Sequence, residues 1–248
     1  MNALAVEGLT KNFGGLLALD NVTLGAASGE RLAIIGPNGA GKTTFFNVIT
    51  GLLPPSSGRI AFFGRDVTRL STHRRAQLGL ARTFQITALF PHLTVLDSAL
   101  LAVQASDSVR FTLHRPATTY PHLYDRAEAL LNEWGLVDRR NIQTRHLSYG
   151  EQRQVELVLA LAGTPKVLLL DEPTAGLSPA ETASVTTMIQ RLSREITILL
   201  IEHDMDVAFD LVDRMIVLFQ GRILAQGAKD DIRKNPEVME IYLGSDHA

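Results

Sequence analysis

The residues with the plainest chemical meaning are Gly36-Pro37-Asn38-Gly39-Ala40-Gly41-Lys42-Thr43. They fit the phosphate-cradling pattern G-x-x-x-x-G-K-[ST]. Glycines at these intervals let backbone N–H groups turn inward around phosphate oxygens. Lys42 would reach the β and γ phosphates as a point charge. The Thr43 hydroxyl would ligate Mg²⁺, and Thr44 opens the helix beside it. The plainer alternative is a glycine turn with a lysine in solvent. Two carboxylates, Asp171 and Glu172, close the apolar run Val167-Leu168-Leu169-Leu170. Asp171 would hold Mg²⁺ through water, and Glu172, one residue on, can point elsewhere and polarise an attacking water. Capping of the next turn is the alternative for both. His203 follows a second apolar run, 196–201. A lone histidine is usually structural, but its place beside a nucleotide sheet favours contact with a γ-phosphate.

Particular elements must position these groups. Arg31–Ile35 is short and apolar with β-branched residues, which predicts a buried strand. Residues 44–50 predict a helix ended by Gly51. Strand, glycine loop and helix N-terminus together make an anion site. A continuous apolar run ending in acids is how a buried parallel strand delivers carboxylates to the C-terminal edge of a sheet, where ligands bind.

The rest of the chain reads as follows. Runs 4–9 and 17–24 predict strands joined at Asn12-Phe13-Gly14-Gly15. Phe13 is placed either to stack on a base or to sit half-buried in its loop. Residues 59–64 predict another short strand. Arg65, Arg69, Arg74, Arg75 and Arg82 read as a solvated helix face rather than a basic contact patch. Between 86 and 146 the composition turns helical, at 95–103 and 124–134, around a polar segment at 104–122. Ser148 and Glu151 form a capping box. The helix that follows carries Val155, Val158, Leu159 and Ala162 on one face. Its free N–H groups offer a second candidate anion site, or simply a capped end. Ser178-Pro179-Ala180-Glu181 is another such box, with proline at the first helical position. Arg214–Phe219, a Gln220-Gly221 turn and 222–225 predict a hairpin, and 236–243 a last helix.

Composition narrows the class. The chain has 248 residues, a net charge of −2 and no cysteine. That balance argues against a nucleic-acid partner and against a disulfide framework. The N-terminus lacks the basic lead and apolar run of a signal peptide. No apolar run reaches the roughly 18 residues that a membrane span requires, so any role at a membrane would come through a partner.

Phosphate loop, Gln85, Leu147-Ser148-Tyr149-Gly150-Glu151-Gln152, Asp171-Glu172 and His203 together resemble the ATP-binding subunit of ABC transporters. The resemblance covers nearly the whole chain. It implies an α/β P-loop (RecA-like) core over 1–85 and 154–248, an N-terminal antiparallel β subdomain and an inserted α-helical subdomain over 86–153. It implies that Phe13 stacks on adenine, and that Gly36, Pro37, Asn38, Gly39, Ala40, Gly41, Lys42, Thr43 and Thr44 wrap the phosphates. Gln85 would reach Mg²⁺ and link the helical lobe to the membrane partner. Ser148 and Gly150 would contact the γ-phosphate of a companion subunit, and His203 would sense the phosphate in its own. ATP would then join two subunits, identical or paralogous, head to tail. The other implied partners are membrane permease subunits at the cytoplasmic face and an extracytoplasmic solute-binding protein.

Two positions depart from the family pattern. Tyr149 stands where a glycine is usual, and Ser178 where aspartate is usual. With Glu202-His203-Asp204-Met205 and the ending from Asn235 to Gly244, they resemble the branch serving uptake of branched-chain amino acids. That branch includes importers of other amino acids, urea and aromatic compounds. The ATPase of lipopolysaccharide export ends similarly and is the second reading. A nucleic-acid-linked ATPase of this family would usually carry coiled coils or a second cassette. An ATP-gated adaptor without hydrolysis is disfavoured by the Asp171-Glu172 pair.

Overall fold

The computed structural model describes residues 1–83, 89–107 and 119–244. Gln85 and most of the polar segment at 104–122 lie outside them. In chain order the first elements are β1 (Asn2–Phe13), β2 (Leu16–Ala27), β3 (Arg31–Ile35) and α1 (Lys42–Thr50). Next come β4 (Ser57–Phe62), β5 (Arg65–Asp66), α2 (Thr72–Gln77) and β6 (Leu80–Arg82). Helices α3 (Val95–Ser106), α4 (Pro121–Glu133) and α5 (Tyr149–Leu161) follow, then β7 (Val167–Asp171) and α6 (Pro179–Arg191). The chain continues through β8 (Thr197–Ile201), α7 (Met205–Leu211), β9 (Arg214–Phe219) and β10 (Arg222–Ala228). It closes with α8 (Lys229–Arg233) and α9 (Pro236–Gly244).

The described residues form two compact units. The first takes Met1–Arg82, Lys166–Glu172 and Leu192–Ala248. It holds two sheets, an antiparallel one in the order β2-β1-β4-β5 and a larger one in the order β10-β9-β3-β8-β7-β6. In the larger sheet β9, β3, β8, β7 and β6 run parallel, and β10 returns antiparallel as the hairpin edge. Every residue of β3, β7 and β8 is buried. Strands covered on both faces need unbroken apolar runs, which is what the sequence shows there. The α1 side chains Phe45 and Phe46 are fully buried in the core between the sheets, with Leu4, Leu9, Leu19, Ile34 and Ile49.

Two of the five arginines expected on a solvated face are not in solvent. Arg75 is buried at 1% exposure and donates to the carbonyls of Val48 (2.8 Å), Ile49 (2.6 Å), Leu70 (3.0 Å) and Thr68 (3.0 Å). The last carbonyls of a helix lack intrahelical partners and carry the negative end of its dipole, so a guanidinium fork satisfies both needs at the α1 C-terminus. Burial lowers its pKa from the usual arginine value. The other is Arg82, whose side chain is buried against Asp171.

The second unit takes Thr83–Pro165 and Pro173–Arg191. The resemblance implies a helical insertion at 86–153. Helix α5 packs on both α3 and α6, so its whole length and α6 cluster with the helices. Helix α4 starts at Pro121 rather than at 124, with proline in its first turn, where the missing N–H has no partner to lose.

Candidate nucleotide site

The phosphate loop joins the C-terminal end of β3 to α1, and its glycines are required by close approach. Gly36 has φ 150°, and a Cβ there would meet Leu218 O at 2.1 Å. Gly41 has φ 104°, and a Cβ there would stand 2.5 Å from Ala18 O. The loop is thus wedged between β2 and the β9–β10 hairpin, and the Gly221 N–H donates to Ala40 O at 3.0 Å. Gly41 is the N-cap of α1 and has no side chain to cap it. The first amides of α1 keep the orientation that suits an anion.

Lys42 is buried at 6% exposure, and its Nζ donates to the Gly36 carbonyl at 2.6 Å and the Pro37 carbonyl at 3.0 Å. Burial lowers its pKa from the usual lysine value, opposed by the charges of Glu172 and Asp171. A triphosphate would replace neutral carbonyls with anionic oxygens, a stronger set of acceptors.

Asp171 ends β7, paired with Ile201 of β8, and is buried at 2% exposure. Its Oδ2 accepts from Arg82 Nη2 at 2.7 Å, and Arg82 Nη1 donates to Asn47 Oδ1 at 2.7 Å. The guanidinium also lies 5.6 Å from the Phe46 ring centroid. Arg82 thus ties β6, β7 and α1 together at one edge of the sheet. Composition of the 65–82 stretch did not reveal it. The available signal was its place at the end of a short strand, beside another strand ending in acid.

Glu172 follows with φ 47°, a left-handed backbone, and its N–H donates to Ile201 O at 2.9 Å. Its Oε1 lies 2.5 Å from His203 Nε2. The imidazole side chain is 46% exposed and the Glu172 side chain 10%, so the pair has one open end. Thr43 is exposed at the start of α1. One hydroxyl and one carboxylate suit Mg²⁺, which takes few protein ligands and completes its octahedron with phosphate oxygens and water. Among the described residues no group of three or more His, Cys, Asp or Glu could hold a metal alone. Phe13 ends β1, is 46% exposed, and has Lys11 Nζ 4.9 Å from its ring centroid.

In the second unit Ser148 caps α5 and forms the expected box with Glu151. The Tyr149 ring lies over the guanidinium of Arg153 at 5.1 Å, and Arg153 Nη2 donates to the Tyr149 hydroxyl at 2.8 Å. Gly150 N–H donates to Glu181 Oε1 at 3.0 Å, a partner that sequence patterning did not supply.

A glycine loop at the carboxyl edge of a parallel sheet, with acids ending a strand two places along the same sheet, defines a P-loop nucleotide-binding protein. Comparison with known proteins narrows the class. Residues 19–175 match the family described as ABC transporter. The high-affinity branched-chain amino acid transport ATP-binding protein LivG of Salmonella typhimurium is 42% identical over 248 residues, 97% of each chain. The corresponding protein BraF of Pseudomonas aeruginosa is 39% identical over 248 residues, again 97% of each. A nucleotide-free ATP-binding cassette from an ABC transporter superposes with a TM-score of 0.87 at 31% identity, covering 98% of this chain and 99% of that one. A dimeric cassette in a post-hydrolysis state, bound to ADP and Pi, superposes with a TM-score of 0.76 at 26% identity, covering 91% and 98%. The chain belongs to the ABC transporter family, as an ATP-binding cassette that hydrolyses ATP in step with transport.

Proposed function

We propose that this cassette powers uptake of branched-chain amino acids or closely related small solutes. It would do so at the cytoplasmic face of a membrane, docked on permease subunits, with a solute-binding protein delivering the cargo. No helix among the described residues is long and apolar enough to cross a membrane, so the path for solute lies in partners. The likeness to LivG and BraF over 97% of each chain supports the cargo class.

ATP is the nucleotide, with adenine on Phe13 and phosphates on the loop from Gly36 to Thr44. Lys42 turns from the Gly36 and Pro37 carbonyls to the β and γ phosphates. Thr43, Asp171 through water, and Gln85 would hold Mg²⁺, which neutralises charge on the phosphate oxygens when bound. Glu172 accepts a proton from the attacking water as its oxygen forms a bond to the γ-phosphorus and the bond to the β-phosphate oxygen breaks. His203 holds the γ-phosphate and orients the Glu172 carboxylate. Ser148 and Gly150 serve the γ-phosphate of a companion molecule, a second copy or a paralogue. One cassette of 1–248 with its helical insertion then supplies half of each of two composite sites.

The observation that carries this reading is the Glu172–His203 pair at 2.5 Å, on the edge that also buries Lys42 and Asp171. Glu172→Gln should lower steady-state phosphate release by roughly 10²-fold or more, while ATP binding and ATP-dependent pairing survive. Normal turnover in that variant would remove Glu172 from the role of base.

A further inference from the structure

The first amides of a helix have no partner within it. In α5 the capping box serves two. Ser148 Oγ accepts from the Glu151 N–H at 3.2 Å, and Glu151 Oε2 accepts from the Ser148 N–H at 2.9 Å. The Gly150 N–H is taken by a carboxylate from another helix, Glu181 Oε1 at 3.0 Å. The other oxygen of that carboxylate accepts from the Ser178 N–H at 3.1 Å and from the Ser178 hydroxyl at 2.8 Å. These bonds, the Ser178 hydroxyl foremost, hold the Glu181 carboxyl below the usual glutamate range, so it is an anion at neutral pH.

Residue 150 must be glycine for this arrangement. A Cβ there would stand 2.5 Å from Glu181 Cγ and 2.6 Å from Oε1. The space beside the Gly150 amide is therefore filled by an anion that the chain supplies itself. Its hold on Ser178 gives the unusual serine a use: a hydroxyl donates to this carboxylate, as an aspartate could not.

We propose that Glu181 is a positioning residue whose carboxylate stands in, at the Gly150 N–H, for the γ-phosphate of the companion molecule, and that ATP-driven pairing displaces it. The proposal rests on the composite-site reading above. One N–H cannot serve two anions fully, and like charges brought to one site repel. Release of Glu181 also frees the Ser178 turn, so both segments change partners in one step. Glu181 thereby sets how much ATP is needed before two molecules close.

The test uses the Glu172→Gln protein, in which hydrolysis is slow, and follows pairing by analytical ultracentrifugation as MgATP is raised. Glu181→Gln keeps an acceptor oxygen without charge, and Glu181→Ala removes the side chain. Both should pair at ATP concentrations lower by about tenfold or more, the scale of one hydrogen bond to a charged group. Binding of a fluorescent ATP analogue to dilute monomer should be unchanged, a split that mere loosening of the fold would not produce. Variants that pair at the parent's ATP concentration, or only above it, overturn this proposal alone. A Glu172→Gln parent that never pairs overturns it together with the composite site.

Discussion

At Glu172 the backbone is left-handed, with φ 47°, in a residue that carries a Cβ. For L-residues that conformation costs about 1–2 kcal/mol. It is maintained because the N–H closes onto Ile201 O while the carboxylate closes onto His203, and together they fix where the acid points. A pair of variants isolates the strain. Glu172→Ala and Glu172→Gly lose the same carboxylate, but only glycine relieves the backbone. Glycine is normally the less stable of the two by about 0.5–1 kcal/mol. Here Glu172→Gly should melt at or above Glu172→Ala, with both inactive, as calorimetry would show. An alanine variant more stable by the usual margin would mean that no strain resides at this position. The sequence told which carboxylate could act, since one residue of offset after a buried run separates Asp171 from Glu172. It could not tell that the offset is achieved by a left-handed backbone. Nor could it tell which arginines are buried: a basic run looks the same whether its acceptors are water or, as for Arg75, four carbonyls gathered from α1 and the segment before α2.

Among the elements, α1 and α5 present their N-termini in opposite ways. Gly41 leaves α1 without a side-chain cap, whereas α5 has a reciprocal box. The Glu151 carboxyl is held below its usual range, chiefly by the Ser148 N–H and further by Arg139 at 2.7 Å. A depressed carboxyl stabilises above its unfolded value and loses that contribution as pH falls through the folded one. Glu151→Ala should therefore cost about 1 kcal/mol, typical of a lost cap, near neutral pH. The difference from the parent should shrink as pH drops below the ordinary 4.5 of glutamate. Urea unfolding across a pH series measures this, and a difference that persists undiminished at low pH would refute it. Boxes of this kind made α5 and α6 legible in sequence. The short helices α7 and α8 escaped because their few residues show no period. Asp204, which accepts from the Asp206 and Val207 amides, was the overlooked signal for α7.

For the whole molecule, two compact units share one chain that crosses between them repeatedly, and the phosphate loop, Asp171, Glu172 and His203 all belong to the first. A ligand that binds only the folded state stabilises it by about 2.7 kcal/mol at a hundredfold excess over its Kd. For a chain of this size each kcal/mol raises the melting temperature by about 2–4 °C, so saturating nucleotide should raise it by about 5–10 °C. Lys42→Ala should abolish most of that shift, since it removes the charge that exchanges loop carbonyls for phosphate. Pairing adds a second signature. In the Glu172→Gln protein with MgATP, melting temperature should climb with protein concentration, because two molecules unfold from one closed complex. With ADP it should not, because the γ-phosphate that bridges to the companion's Ser148 and Gly150 is missing. Equal concentration dependence with both nucleotides would mean that pairing does not read the γ-phosphate, and the composite site would have to be abandoned even if each molecule bound ATP well.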